Sequence, residues 1–344
     1  MTSSERSDRI REFLARHQYH DAELHPLPGD ASFRRYIRIR KGGQSFMLMD
    51  APPEKENVRP YLAIAEYLFK SGYSAPEILA HDVPAGLLLL EDLGDDIFTS
   101  LLKTQSGMEQ ELYAAAIDVL AGWHNTERNS AFILPEYDEE LLMKEACLFA
   151  DWYLPQVLGK QKAAALRPEY VALWQNIFAQ AALATDKWVH RDYHADNLIW
   201  LPKRPGIQRV GLLDFQDGVY GDAAYDVVSL LEDARRDVST PLANAMLERY
   251  MAASGTDRAQ FMTAYAVLGA QRNSKIIGIF CRLAARDNKF NYLSYLPRVW
   301  RHFEHDLTHP ILAPLKAWIE KHVPADSRGV IAIQHTSQDL ALTA

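Results

Sequence analysis

From Phe33 to Arg40 apolar and polar residues partly alternate, with Ile37 and Ile39 on one side and Tyr36, Arg38 and Arg40 on the other. A period of two marks a strand. Lys41-Gly42-Gly43 supplies a turn and Ser45 to Asp50 a second strand, so a β-hairpin is predicted. Pro52-Pro53 stops it. A helix is expected over about Asn57 to Ser71, with Leu62, Ala65, Leu68 and Phe69 on one face, Pro60 in its first turn and Gly72 as its stop. Ala75-Pro76 leads into Ile78 to His81. The apolar run Leu87 to Leu90 then reads as a buried strand, closed by the polar joint Glu91-Asp92-Leu93-Gly94.

Beyond Gly94 the period becomes helical. Leu112, Ala116, Val119, Leu120 and Trp123 place a helix over Glu109 to Thr126. Pro155 and Pro168 read as joints, and the helix after Pro168 is carried by Val171, Trp174, Ile177 and Ala181. Two short strands are predicted at Asn197 to Leu201 and Arg209 to Leu213. Ala223 to Val323 reads as largely helical and Ala325 to Ala344 as a weakly periodic tail. The expected class is α+β and two-lobed. Residues 1–91 form a small β-rich lobe, 92–324 a large helical lobe, and 325–344 a tail.

Composition narrows the function more than the fold. Of 344 residues 48% are hydrophobic and 24% charged, which excludes wholesale disorder. A net charge of −8 argues against a nucleic-acid partner. Apolar runs such as Leu87 to Leu90 fall far short of the roughly 18 residues a membrane span needs. Met1 to Arg16 lacks the apolar core of a signal peptide. Two cysteines, Cys147 and Cys281, make neither a disulfide framework nor a metal knuckle. A cytoplasmic protein with no membrane partner is expected; its oligomeric state is left open.

The chemistry concentrates in His190-Arg191-Asp192-Tyr193-His194-Ala195-Asp196-Asn197, just before one predicted strand, and in Asp214-Phe215 at the end of the next. H-x-D-x-x-x-x-N followed by a strand-terminal D-F matches the catalytic loop and metal motif of kinases. Phosphoryl transfer from ATP leaves little covalent work to the protein. It needs a carboxylate to orient the acceptor hydroxyl and take its proton, and oxygen ligands for Mg²⁺ on the phosphates. Asp192 fits the first role, Asn197 and Asp214 the second. Singly, such residues more often cap turns; their joint register points to transfer.

The chain resembles the aminoglycoside phosphotransferase-like small-molecule kinases over most of its length. Four stretches are similar to the bacterial kinases that phosphorylate N-acetylmuramate and N-acetylglucosamine at C1 in peptidoglycan recycling. They are Gly29 to Tyr36, Met49 to Glu54, Leu90 to Asp95, and Gln271-Arg272-Asn273 with Arg282 to Asp287. The resemblance implies a two-lobed protein-kinase-like fold, ATP and Mg²⁺ as cofactors and a small-molecule sugar as acceptor. It makes Gly29 to Phe33 a phosphate-covering loop, with Gly29, Asp30, Ser32 and Arg34 as nucleotide contacts. Glu91 to Leu93 becomes the hinge whose backbone bonds adenine, so Glu91 and Leu93 join that set. Glu66 takes the place of the helix carboxylate that pairs with a strand lysine; a solvated helix face explains it as well. Asp226, His190 and His194 are expected to brace the catalytic loop.

One departure stands out. The strand Phe46-Met47-Leu48-Met49-Asp50 carries no Lys or Arg to hold the phosphates. Arg34, Arg35 and Lys55 are near enough in sequence to substitute. Without a substitute, the chain reads as a nucleotide-binding module that no longer transfers phosphate.

Residues 271–298 hold six cations, Arg272, Lys275, Arg282, Arg286, Lys289 and Arg298, against Asp287 alone. On the acceptor side they would repel polycations and suit a neutral or anionic sugar, arginine being the natural fork for a carboxylate. Asn273, Arg282 and Arg286 are the acceptor candidates. A solvated basic helix face accounts for the charge equally well. Aminoglycoside, choline-like and methylthioribose acceptors remain alternatives.

Overall fold

The computed structural model describes residues 3–28, 33–126, 128, 132–329 and 331. The first half runs α1 (Ser3–Arg16), β1 (Glu23–Pro26), β2 (Arg35–Lys41), β3 (Gln44–Asp50), α2 (Arg59–Lys70), β4 (Ile78–Asp82), β5 (Leu87–Glu91), α3 (Phe98–Thr104) and α4 (Glu109–His124). There follow α5 (Glu139–Leu148), α6 (Leu154–Leu158), α7 (Lys160–Ala181), β6 (Lys187–Val189), β7 (Leu198–Trp200), β8 (Val210–Leu212) and β9 (Val219–Gly221). The chain continues with α8 (Ala224–Leu231), α9 (Thr240–Ser254), α10 (Arg258–Asp287), α11 (Leu296–Asp306) and α12 (Ala313–His322). Two compact units divide it: Met1–Val119 with Asp196–Gly218, and Leu120–Ala195 with Val219–Ala344. No helix of the described residues is long and apolar enough to cross a membrane.

The first unit is built on a five-stranded antiparallel sheet in the order β1-β2-β3-β5-β4. The predicted hairpin is β2–β3, closing on Lys41↔Gln44. Gly42 and Gly43 both have positive φ (56° and 79°), the conformation of a two-residue hairpin turn. β5 lies inside the sheet, which is why Leu87 to Leu90 are all buried. Ile39, Leu48, Leu87 and Leu89 pack with Ile10, Phe13 and Leu14 of α1. Arg6 of α1 reaches the buried Asp50 carboxylate, with Nε 2.7 Å from Oδ1, and Arg35 bonds the same carboxylate. Neither α1 nor β1 follows from the pattern. The core side of α1 rests on three apolar residues, and β1 is exposed throughout.

The β7–β8 hairpin also belongs to this unit. Ile199 bridges Ile97, Gly211 bridges Ser74, and the Leu212 N–H donates to Ser74 O at 2.9 Å. A Cβ on Gly211 would come within 3.0 Å of Leu93, so the hairpin is seated against the joint after β5.

The second unit is helical apart from the β6–β9 pair, which has no local signal because each strand is three residues long. α10 runs for 30 residues through its core beside α5, α8 and α11. Pro168 is no joint: it lies inside α7, whose buried Ala163, Tyr170, Trp174 and Ile177 hold the helix together across it. Most of the expected tail lies outside the described residues. Its start is anchored by a 2.8 Å bond from the Tyr153 hydroxyl to Ser327 O.

Candidate active site

A cavity of about 320 Å³ lies within the sheet-bearing unit. Met47, Leu90, Ile199 and Leu213 give it apolar walls, and Glu91 to Asp95 form one edge. Arg34, Asn197 and Asp214 bring polar groups to it. Apolar walls with a few placed polar groups are the usual make-up of a small-ligand site. The joint is well fixed. Glu91 pairs with Arg204, the Glu91 N–H donates to Glu77 O at 2.9 Å, and Asp92 accepts from the Gly94 N–H at 3.0 Å. Arg38 spans Asp92 and Asp95, at 2.7 Å from each.

Asn197 precedes β7 and Asp214 follows β8. The Leu213 N–H donates to Asn197 O at 3.0 Å, so the hairpin delivers the two candidate ligands together. Asp214 has φ 58°, rare for a residue with a Cβ and a common sign of a functional position. Its carboxylate accepts from Gln216 Nε2 at 2.7 Å and lies 3.8 Å from Arg34. Burial, with Asp214 nearby, pushes the Tyr36 hydroxyl up to about 12. The donor set fits Mg²⁺. Asn197 offers an amide oxygen and Asp214 a carboxylate, and Mg²⁺ is ordinarily held by one or two carboxylates together with phosphates and water.

Asp192 lies in the helical unit, on the loop leaving β6. That loop is held by the buried Asp226, which accepts the N–H groups of His190 (2.6 Å) and Arg191 (2.9 Å). Arg191 has φ 74°, a strained turn that these two bonds stabilise. The bracing role expected of Asp226 is thus visible. The Asp192 N–H in turn donates to His190 Nδ1 at 3.3 Å. Asp192 is half-buried. Burial alone would raise its carboxyl, but Lys275, His194, Arg272 and His190 hold it below the ordinary carboxylate range.

Around this loop sits a set of groups that the motif does not reveal. Glu145 of α5 accepts ion pairs from Arg191 and from Lys275, the latter at 3.0 Å, and a hydrogen bond from the Tyr137 hydroxyl. Lys275 also donates to the Tyr225 hydroxyl at 3.2 Å. In sequence Lys275 registers only as one charge among six, and Glu145 only as a carboxylate on an otherwise apolar helix face.

The other candidates fall in different places. Gly29, Asp30 and Ser32 lie outside the described residues. Glu66 is exposed and pairs with Lys70 at 3.0 Å across one helical turn, so the solvated reading of it is the one observed. Asn273 is wholly buried, its amide donating to Glu232 at 2.7 Å and Asp306 at 3.0 Å, in the core of the helical unit rather than on a face a ligand meets. Arg286 is exposed and bonds its neighbour Asp287 at 2.7 Å; Arg282 is half-buried. Lys275, Arg282 and Arg286 share one face of α10 by helical spacing. Among the segment's other cations, Arg272 bonds Ser229 and Arg298 pairs with Asp237.

A five-stranded sheet with a helix between its third and fourth strands in chain order, a helical second unit, and an Asp/Asn loop followed by a strand-terminal Asp define a protein-kinase-like phosphotransferase fold. A crystal structure of an ADP-bound aminoglycoside phosphotransferase superposes on 88% of this chain and 97% of its own at a TM-score of 0.61 and 15% identity. The chain belongs to the phosphotransferase enzyme family, whose sequence profile matches residues 23–262. It is 38% identical to the N-acetylmuramate/N-acetylglucosamine kinase of Caulobacter vibrioides, over 95% of this chain and 99% of that one. It is also 38% identical to the protein of the same name from Pseudomonas aeruginosa, over 82% and 83%.

Proposed function

We propose that the chain phosphorylates the anomeric hydroxyl of an N-acetylated amino sugar, N-acetylmuramate or N-acetylglucosamine, with ATP and Mg²⁺ as cosubstrate and metal. The observation that carries the transfer chemistry is the cavity in which Asn197 and Asp214 stand beside the joint Glu91 to Leu93. The acceptor follows from the names of the near-full-length relatives.

Each residue then has a task. The apolar walls take the adenine, with the backbone of Glu91 and Leu93 as hydrogen-bonding edge. Asn197 and Asp214 hold the metal, and Arg34 contacts the nucleotide. Bound Mg²⁺-ATP supplies the phosphoryl group and the charge neutralisation its transfer needs. Asp192 orients the sugar hydroxyl and takes its proton as the sugar oxygen bonds phosphorus and ADP leaves. The low-lying Asp192 carboxyl is ionised at neutral pH, as a base must be. The cationic face of α10, with Arg282 and Arg286, suits an acceptor carrying a carboxylate. We place the reaction in the cytoplasm, where ATP is available.

ADP release with Mg²⁺-ATP against N-acetylmuramate, N-acetylglucosamine, simple hexoses, choline and kanamycin tests the reading. Turnover is expected with the N-acetyl sugars, and Asp192→Asn lowers it by about 10²–10⁴. Full activity in Asp192→Asn would remove the base assignment. Turnover confined to choline or kanamycin would replace the acceptor.

A further inference from the structure

We propose that Arg34, braced by Glu56, is the cation that holds the nucleotide's phosphates in place of the lysine absent from β3; this rests on the ATP reading above. β3 offers the cavity Met47, and its last residue, Asp50, is a buried acid already bonded by Arg6 and Arg35. No cation can act from that strand.

The cations nearby separate by geometry. Arg35 pairs with Asp50, and strand alternation sends it to the face opposite its neighbours. Arg38 reaches the cavity but is divided between Asp92 and Asp95 at the joint. Lys55 stands over the Phe33 ring, 5.3 Å from its centroid. Arg34 lines the cavity and lies beside the candidate metal ligand. Its Nη2 is 3.0 Å from Glu56 Oε2, while Nη1 is 3.8 Å from Asp214 Oδ1.

That arrangement does what a phosphate-holding cation requires. The guanidinium is planar, so fixing one nitrogen on Glu56 sets the direction of the other. The other nitrogen is the one 3.8 Å from Asp214, and in ATP-dependent transfer the metal and the phosphate oxygens meet at such an aspartate. Both side chains are largely withdrawn from solvent, 13% and 15% exposed, so water screens the pair little. Glu56 itself is held by a tight turn. After Pro52-Pro53, the N–H groups of Lys55 and Glu56 both donate to Pro52 O at 2.9 Å. The pair thus takes over from a strand lysine and a helix carboxylate, with both members moved onto connecting segments. Arg34 is the binding residue and Glu56 its positioning residue.

Calorimetric titration of the full chain with adenosine, ADP and ATP separates the phosphate-holding role from the rest of the pocket, since the three share base and ribose. Arg34→Met is expected to weaken ATP and ADP by about tenfold to hundredfold, the range of a charge-assisted bond, and to leave adenosine within about twofold. Glu56→Gln shifts ATP and ADP the same way by less, raising the KM for ATP without changing that for the sugar. Arg34→Lys recovers part of the loss, and its adenosine affinity reports an intact pocket. Unchanged ATP and ADP affinity in Arg34→Met overturns the proposal. So does a loss in which adenosine falls in step with ATP in both Arg34 variants. Failure of the wild-type chain to bind ATP would remove the kinase reading itself, whereas a wild type that binds ATP beside an indifferent Arg34→Met removes only this assignment.

Discussion

Asp192 is pushed up by burial and pulled down further by Lys275, His194, Arg272 and His190. A base held this way loses its charge only when pH falls below the ordinary carboxylate range. kcat/KM should therefore stay flat on the acid side through the usual carboxylate range and fall only below it. Removing the positive charge of Lys275 with Lys275→Met should move that limb to higher pH. A pH–rate profile with an unmoved limb would show that Lys275 does not act on Asp192. The linked stability has the same sign. A depressed folded pKa contributes stability above the unfolded value and loses it as pH falls through the folded one. Asp192, Asn197 and Asp214 are legible in sequence as candidates because they sit at fixed spacings in two neighbouring motifs. Lys275 and Glu145 are not, because what matters is their meeting across two helices. Glu66 illustrates a different failure. Mid-helix is the right place for a carboxylate that pairs with a strand lysine. With no such lysine, Glu66 meets Lys70, and the carboxylate 3.0 Å from Arg34 is Glu56, ten residues earlier.

Among the elements, the loop after β6 and the long α10 depend on close contacts that invite substitution. Asp226 offers one oxygen to each of two backbone N–H groups, and burial pushes its carboxyl up to about 7. Asp226→Asn replaces one acceptor with a donor. It should cost about 1–3 kcal/mol in urea unfolding and lower kcat more than the KM for ATP. Equal stability and kcat would show that the two bonds do not hold the loop. α10 crosses α5 so closely that a Cβ on Gly278 would stand 2.2 Å from the Leu148 carbonyl carbon. Gly278→Ala should destabilise by about 1–3 kcal/mol through overpacking of backbone that cannot yield. An unchanged denaturation midpoint would mean that the helices separate freely. The hairpin and the interior strand β5 were readable because alternation or full burial marks them directly. α7 through Pro168 and the pair β6–β9 were not, since packing from distant residues decides both.

Across the molecule, local pattern carries the order of elements but not which of them belong together. The β7–β8 hairpin comes about a hundred residues after the main sheet in sequence, yet it joins that sheet's unit through Ser74 and Ile97. Nothing in the hydrophobic period of residues 198–212 specifies this. The consequence is functional: both candidate metal ligands line the cavity of the sheet-bearing unit, while Asp192 and the cationic face of α10 belong to the helical one. Overall charge does not reveal the local one: a chain of net −8 places Lys275, Arg282 and Arg286 on one face of α10. The central claim, transfer to an anomeric hydroxyl, is tested most directly by NMR of the product formed from N-acetylmuramate and ATP. A phosphorus resonance coupled to the sugar's H1, absent with Asp192→Asn, is the expected result. Phosphorus coupled to a proton elsewhere on the ring, or no sugar phosphate while ATP is bound, would contradict it.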